Sequence, residues 1–256
     1  MDVNMRDRFN ALWTNYFNDA ELPITFYYTS EEGHADLAKP DSLPRFVIGA
    51  LAAVREGLSL CFDVDSIGCP GGRRYLGFAE GITPDFEYFL SYGIPGRVRG
   101  ERYSKSPELV REIMRHWPEF KAPGRYIVFK RWDRLDAWDG PQVVIFFAQP
   151  DVLSGLFTLA RFDEAEPNTV FTPFGSGCST IVQYPFLEKD SERPRGVIGM
   201  FDPSARPHVP ANALTFAVPM SKFVRMVENM EESFLITDTW KRIQDRIGSI
   251  EGETER

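Results

Sequence analysis

Apolar residues recur at helical spacing near the start of the chain. Met5, Phe9, Leu12, Trp13 and Tyr16 fall on one face of a helix expected over residues 4–19. The run ITFYY within 23–28 reads as a strand, and 30–44 as a polar loop holding Gly33 and His34. Residues 45–55 read as a helix stopped by Gly57, and 58–62 as a strand; 63–72 is rich in turn formers. Thr83-Pro84-Asp85 is expected to open a short helix, with Thr83 as its cap and Pro84 in its first turn. Ser106-Pro107-Glu108 opens another, ending near His116. Strands follow at 126–132 and 142–148, the second a continuous apolar run of the kind buried on both faces. A helix is expected at 150–160 and another at 178–184, the latter entered from a Gly-Ser-Gly turn. Strands at 197–201 and 214–218 precede helices near 220–232 and 237–247; the charged tail 251–256 reads as disordered. Strands and helices alternate loosely, giving an α+β fold in one domain over 1–256, with mixed α/β as the alternative.

Spacing suggests two weakly similar, intimately packed halves, 20–120 and 121–235. In each, a strand, a helix and a second strand lead to a Phe-Asp pair, Phe62-Asp63 and Phe201-Asp202. Six residues beyond the Asp stand Cys69 and His208, which would occupy equivalent positions. Ligands would then converge at the interface between the halves, where pockets tend to form.

Composition narrows the function classes. A net charge of −8 argues against a nucleic-acid surface, which needs clustered Lys and Arg. No run of 18 apolar residues points to a membrane span, and the first residues lack the apolar stretch of a secretion signal. Three cysteines in a chain of 256 residues suit a reducing cytoplasm rather than a disulfide framework. Aromatics make up 14%, including 21 Phe, so an aromatic-rich core is expected. Oligomeric state is not legible.

The cysteines carry the candidate chemistry. Cys69 precedes Pro70-Gly71-Gly72-Arg73-Arg74. A Gly-Gly turn can present an anion-binding concavity of N–H groups. Gly71, Gly72, Arg73 and Arg74 are thus candidate contacts for an anionic ligand, and the same setting would favour a Cys69 thiolate. The plainer alternative is a tight turn with a space-filling cysteine. Cys178, in Gly175-Ser-Gly-Cys-Ser, would sit at a helix N-terminus, where an anion is stabilised; it is the candidate nucleophile, or else a buried helix-start residue. Cys61 lies in an apolar strand and reads mainly as core. With no Cys-x-x-Cys pair, any metal site drawn from Cys69, Cys178, His208 and Cys61 must be assembled by tertiary folding. His208 is held in a loop between Pro207 and Pro210, and His34 and His116 read as structural or solvent-exposed. Arg97, Arg99, Arg102 and Lys105 form the densest basic stretch, a loop that pairs with Glu101 and Glu108 or binds an anion. Dinucleotide, Walker and zinc-protease fingerprints are lacking.

Three phrases carry a family resemblance: GCPGGRRYLGF at 68–78, PQVVIFFAQPDVLSG at 141–155 and GCSTIVQYP at 177–185. On these the chain, over about residues 5–247, resembles the uncharacterised prokaryotic family catalogued as domain of unknown function 169. The resemblance implies relatives richer in cysteine, with thiols expected near Phe46 and Tyr92. Phe and Tyr at those places argue against a four-thiolate cluster here, and leave Cys69 and Cys178 as the matching cysteines.

Three readings follow. In the first, Cys69 and Cys178, with His208 or Cys61, hold an iron–sulfur cluster or a transition metal, leaving one position open. The second is a metal-free enzyme or binding protein for a small anionic molecule, with Cys178 as nucleophile. The third is a structural or regulatory partner protein anchored by Trp132 and Trp138.

Overall fold

The run VVIFFA forms strand β5 (Val143–Ala148), buried along its whole length. It pairs antiparallel with β1 (Ile24–Thr29) on one side and β8 (Leu214–Pro219) on the other. Beyond β1 lie β4 (Tyr126–Arg131), β3 (Leu60–Phe62) and β2 (Asp36–Leu37); beyond β8 lie β7 (Gly196–Gly199) and β6 (Val170–Phe171). The sheet order is β2-β3-β4-β1-β5-β8-β7-β6. This computed structural model describes residues 1–18, 20–32, 35–37 and 46–250, with side chains described to Ile247. Gly33, His34, most of the 30–44 loop and the 251–256 tail lie outside the described residues.

Outward from the β1–β5 pair, both sides of the sheet run in the same senses. β4 and β3 follow antiparallel and β2 parallel; on the other side β8 and β7 follow antiparallel and β6 parallel. The strand matching β8 is therefore β4, which ends at Arg131.

Strand alternation divides the apolar side chains between two layers. Ile24, Phe26, Ile145 and Phe147 face one layer, packed by α2 (Val47–Arg55), α3 (Pro70–Tyr75) and the helical stretch 179–188. Val144 and Phe146 face the other, packed by α1 (Val3–Phe17), α6 (Pro150–Arg161), α8 (Met220–Asn229) and α9 (Asp238–Ile250). The α+β expectation holds. Trp132 belongs to this second layer and is fully buried, so it cannot serve as a surface anchor; Trp138 is exposed. No helix among the described residues is long and apolar enough to cross a membrane.

Two local expectations fail for identifiable reasons. The Gly-Gly stretch is not a turn but the first half of α3: Cys69 caps it, Pro70 takes the first turn, and Gly72 N–H donates to Cys69 Sγ at 3.3 Å. Proline suits a first turn because its missing N–H has no partner there. The helix expected from Thr83 begins later, as α4 (Phe86–Phe89), with Asp85 at φ 61 before it. α5 (Pro107–Arg115) begins where expected, capped by Ser106.

Candidate functional site

A cavity of about 390 Å³ opens between α3, the segment 82–117 and the helix entered near residue 176. That volume falls in the range of small-molecule sites. Its walls are rings: Phe46, Tyr75, Phe86, Trp117 and Tyr184 among them. The connection between α3 and β4 supplies the roof, including Phe89, Tyr103 and Ile113. Phe89, Ile113 and Phe174 line the cavity yet are 38%, 41% and 66% exposed, so its mouth is rimmed by apolar side chains. Exposed apolar patches of this kind mark binding grooves more often than indifferent surface.

The polar end is built from two turns. Ser176 opens the helical stretch: its Oγ accepts from Ser179 N–H at 3.2 Å, and its carbonyl from Thr180 N–H at 3.2 Å. The π-helix Ser179–Gln183 follows, running into α7 (Tyr184–Glu188). Pro185 explains the widening, because its ring would clash with the carbonyl four residues back in a regular α-turn. The wide turn carries Ser179 and Gln183 into the lining, with Tyr184 beside them.

Asp202 comes from the second turn. After β7, Met200 adopts φ 67, a left-handed conformation that costs a non-glycine residue about 1–2 kcal/mol. Phe201 is then exposed and Asp202 buried. Asp202 Oδ1 accepts from Ser204 N–H at 2.9 Å and Ser204 Oγ–H at 2.8 Å, and Oδ2 from Gly177 N–H at 3.3 Å. A side chain at 177 would place its Cβ 2.9 Å from Ala205 Cβ, so glycine lets the two turns meet. Burial, then the charge of Asp202, pushes the Tyr103 hydroxyl pKa up. Burial likewise raises Tyr75 and Tyr184.

The sequence candidates separate. Cys69 and Gly71 line the cavity. Cys178 is close enough for the charge of Cys69 to act on it but is fully buried. Burial first, then Cys69 and Asp202, hold its thiol pKa well above the ordinary range. That opposes the thiolate a nucleophile needs. Gly72 packs against Cys69, Ile67 and Val47. Arg73 is exposed, its Nε donating to Ile67 O at 2.9 Å; Arg74 is buried, donating to Pro118 O at 3.3 Å. Neither guanidinium lines the cavity. The ring of His208 packs on Phe46 with centroids 5.0 Å apart. Cys61 points to the other side of the sheet with Tyr27 and Val128, and its Sγ donates to Ala35 O at 3.6 Å. Among the described residues, no group of three or more His, Cys, Asp or Glu is placed to hold a metal ion. All three thiols are free. In the basic stretch Arg97 is bound to Asp85 and Arg99 lies 3.9 Å from Glu101. His116 is exposed and caps the C-terminus of α5.

In the sequence Asp202 stood only as a spacing marker, and the ring-lined roof was not among the expectations. The available signals were Asp-Pro-Ser directly after a strand, which favours a side-chain-capped turn, and the aromatic density of residues 86–117.

A family model matches residues 22–229: DUF169, described as uncharacterised ArCR. The chain belongs to this family. No curated protein and no solved structure matches it.

Proposed function

We propose that this protein binds a small, largely apolar organic molecule in the cavity between α3, the 82–117 roof and the helix entered near residue 176. The single observation behind this reading is the ring-lined space of about 390 Å³ with one polar end at Asp202, Ser176 and Ser204. Flat molecules gain from such walls by apolar burial and by offset or edge-on ring contacts. The metal reading has less support, because Cys61 is on the opposite side of the sheet and His208 is engaged with Phe46. The anionic-ligand reading has less support too, because Arg73 and Arg74 point elsewhere. Three free thiols fit a reducing, cytoplasmic setting.

The matched strand senses favour two halves arising by duplication, with the boundary between Arg131 and Val143 rather than at 120. On that reading the cavity lies where the halves meet: Cys69 and Tyr75 come from the first and Tyr184 and Asp202 from the second.

The test is ligand-observed NMR with a library of small aromatic fragments, on the native protein and on Gly71→Leu. A Cβ at 71 meets nothing closer than the Tyr75 ring at 3.8 Å, so leucine there fills cavity space without entering the core. Fragments that bind the native protein and lose binding to Gly71→Leu support the reading. Equal binding to both proteins, or to neither, sinks it.

A further inference from the structure

We infer that the ligand of this cavity is an organic cation, an aromatic or apolar body carrying a protonated amine that meets Asp202. This rests on the cavity reading above and adds the charge of the ligand. Among the described residues, Asp202 is the one charged side chain in the lining; no Lys, Arg or His contributes to it. Asp202 is 5% exposed, and its carboxylate has no ion-pair partner among the described residues. Its hydrogen bonds come only from Ser204 and from the N–H of Gly177. Two oxygens offer about four acceptor positions, so room for a further donor remains.

Buried charges in proteins are ordinarily paired. A buried carboxylate in a ring-lined cavity whose other polar lining groups are uncharged is completed by a cation that enters with the ligand. The walls favour the same charge. Ring faces are negative, and cages of Tyr, Trp and Phe attract ammonium groups. Tyr75 and Tyr103, within electrostatic reach of Asp202, share the lining with Trp117 and Phe86, which supply further rings of this kind. An anionic ligand would meet the opposite: a like charge, ring faces of the wrong sign and no guanidinium. A neutral ligand would leave Asp202 desolvated and unpaired.

The experiment is calorimetric titration at neutral pH with three molecules of one shape: tryptamine, tryptophol and indole-3-propionate. Tryptamine is expected to bind at least about tenfold more tightly than either of the others. That preference is expected to vanish in Asp202→Asn, and all binding in Gly71→Leu. Equal affinity for the three, or tighter binding of the propionate, overturns the cation assignment while leaving the cavity reading intact. No binding of any of them to the native protein overturns both. If Asp202→Asn fails to fold, the ranking of the three molecules on the native protein decides alone.

Discussion

Alanine at two adjacent glycines should have opposite effects. Gly71 and Gly72 both lie in the first half of α3, so either substitution gains helix propensity, at most about 1 kcal/mol. Their surroundings differ. At 71 the new Cβ would find only the Tyr75 ring, at 3.8 Å and 3.9 Å, an ordinary contact. At 72 it would lie 2.8 Å from Cys69 Sγ, 2.9 Å from Ile67 Cγ2 and 3.0 Å from Val47 Cγ2. Three simultaneous overlaps against a capping thiol and two core methyl groups cannot be relieved by one rotamer change. Overpacking of this kind costs about 1–3 kcal/mol. Because the propensity gain is common to both variants, the difference between them isolates the clash. Gly72→Ala should unfold about 2–12 °C below Gly71→Ala, taking about 2–4 °C per kcal/mol for a chain of this size. Differential scanning calorimetry reads the gap, and urea titration checks it. Adding Cys69→Ala to Gly72→Ala should narrow the gap by removing the nearest atom. Equal midpoints for the two single variants would refute the packing argument, and with it the view that Gly72 serves the core rather than a ligand.

Three further outcomes follow from the same structure. Iodoacetamide at mildly alkaline pH should alkylate Cys69 first in the native protein, because it alone of the thiols lines the cavity, while burial raises Cys178 and pushes Cys61 up to about 11. Mass mapping that finds Cys178 modified as fast as Cys69 would contradict this. Stability should fall as pH rises from the ordinary cysteine value of 9.0 toward about 11: Cys61 keeps its proton in the fold after the unfolded chain has lost it. The unfolded state then binds fewer protons, a slope of about −1.4 kcal/mol per pH unit for each such group. Tyr27, Tyr28 and Tyr75, also raised by burial, extend the loss to higher pH; denaturation midpoints unchanged up to pH 11 would rule it out. Finally, Lys130→Met should cost about 3–5 kcal/mol. It leaves the buried Asp139 carboxylate without the ammonium 2.9 Å away, and urea unfolding with an unchanged midpoint would show that the pair contributes nothing.

The sequence was most informative where one chemical pattern had one structural outcome. The apolar run at 143–148, rich in β-branched and aromatic residues, read as a strand covered on both faces and is one, and Ser106-Pro107 marked a helix start as expected. It misled where a residue type has two uses. Gly-Gly reads as a turn, yet a proline before it and a capping sulfur made it helical. The edge strands β2 and β6, two residues each, were too short to show a period. Cys69 was singled out because an unusual local setting surrounds it, and it lines the cavity. Asp202 was not, because its place in the lining comes from Gly177 and Ser204 closing on it and from rings brought across the fold from the 82–117 roof. Such convergence has no local signature.

The most direct measurement is a crystal structure of the protein grown with saturating tryptamine. Density is expected inside the cavity, with the ring against Trp117 and Tyr184 and the ammonium toward Asp202. Tryptamine bound elsewhere, with the cavity vacant or collapsed, would contradict the cavity reading.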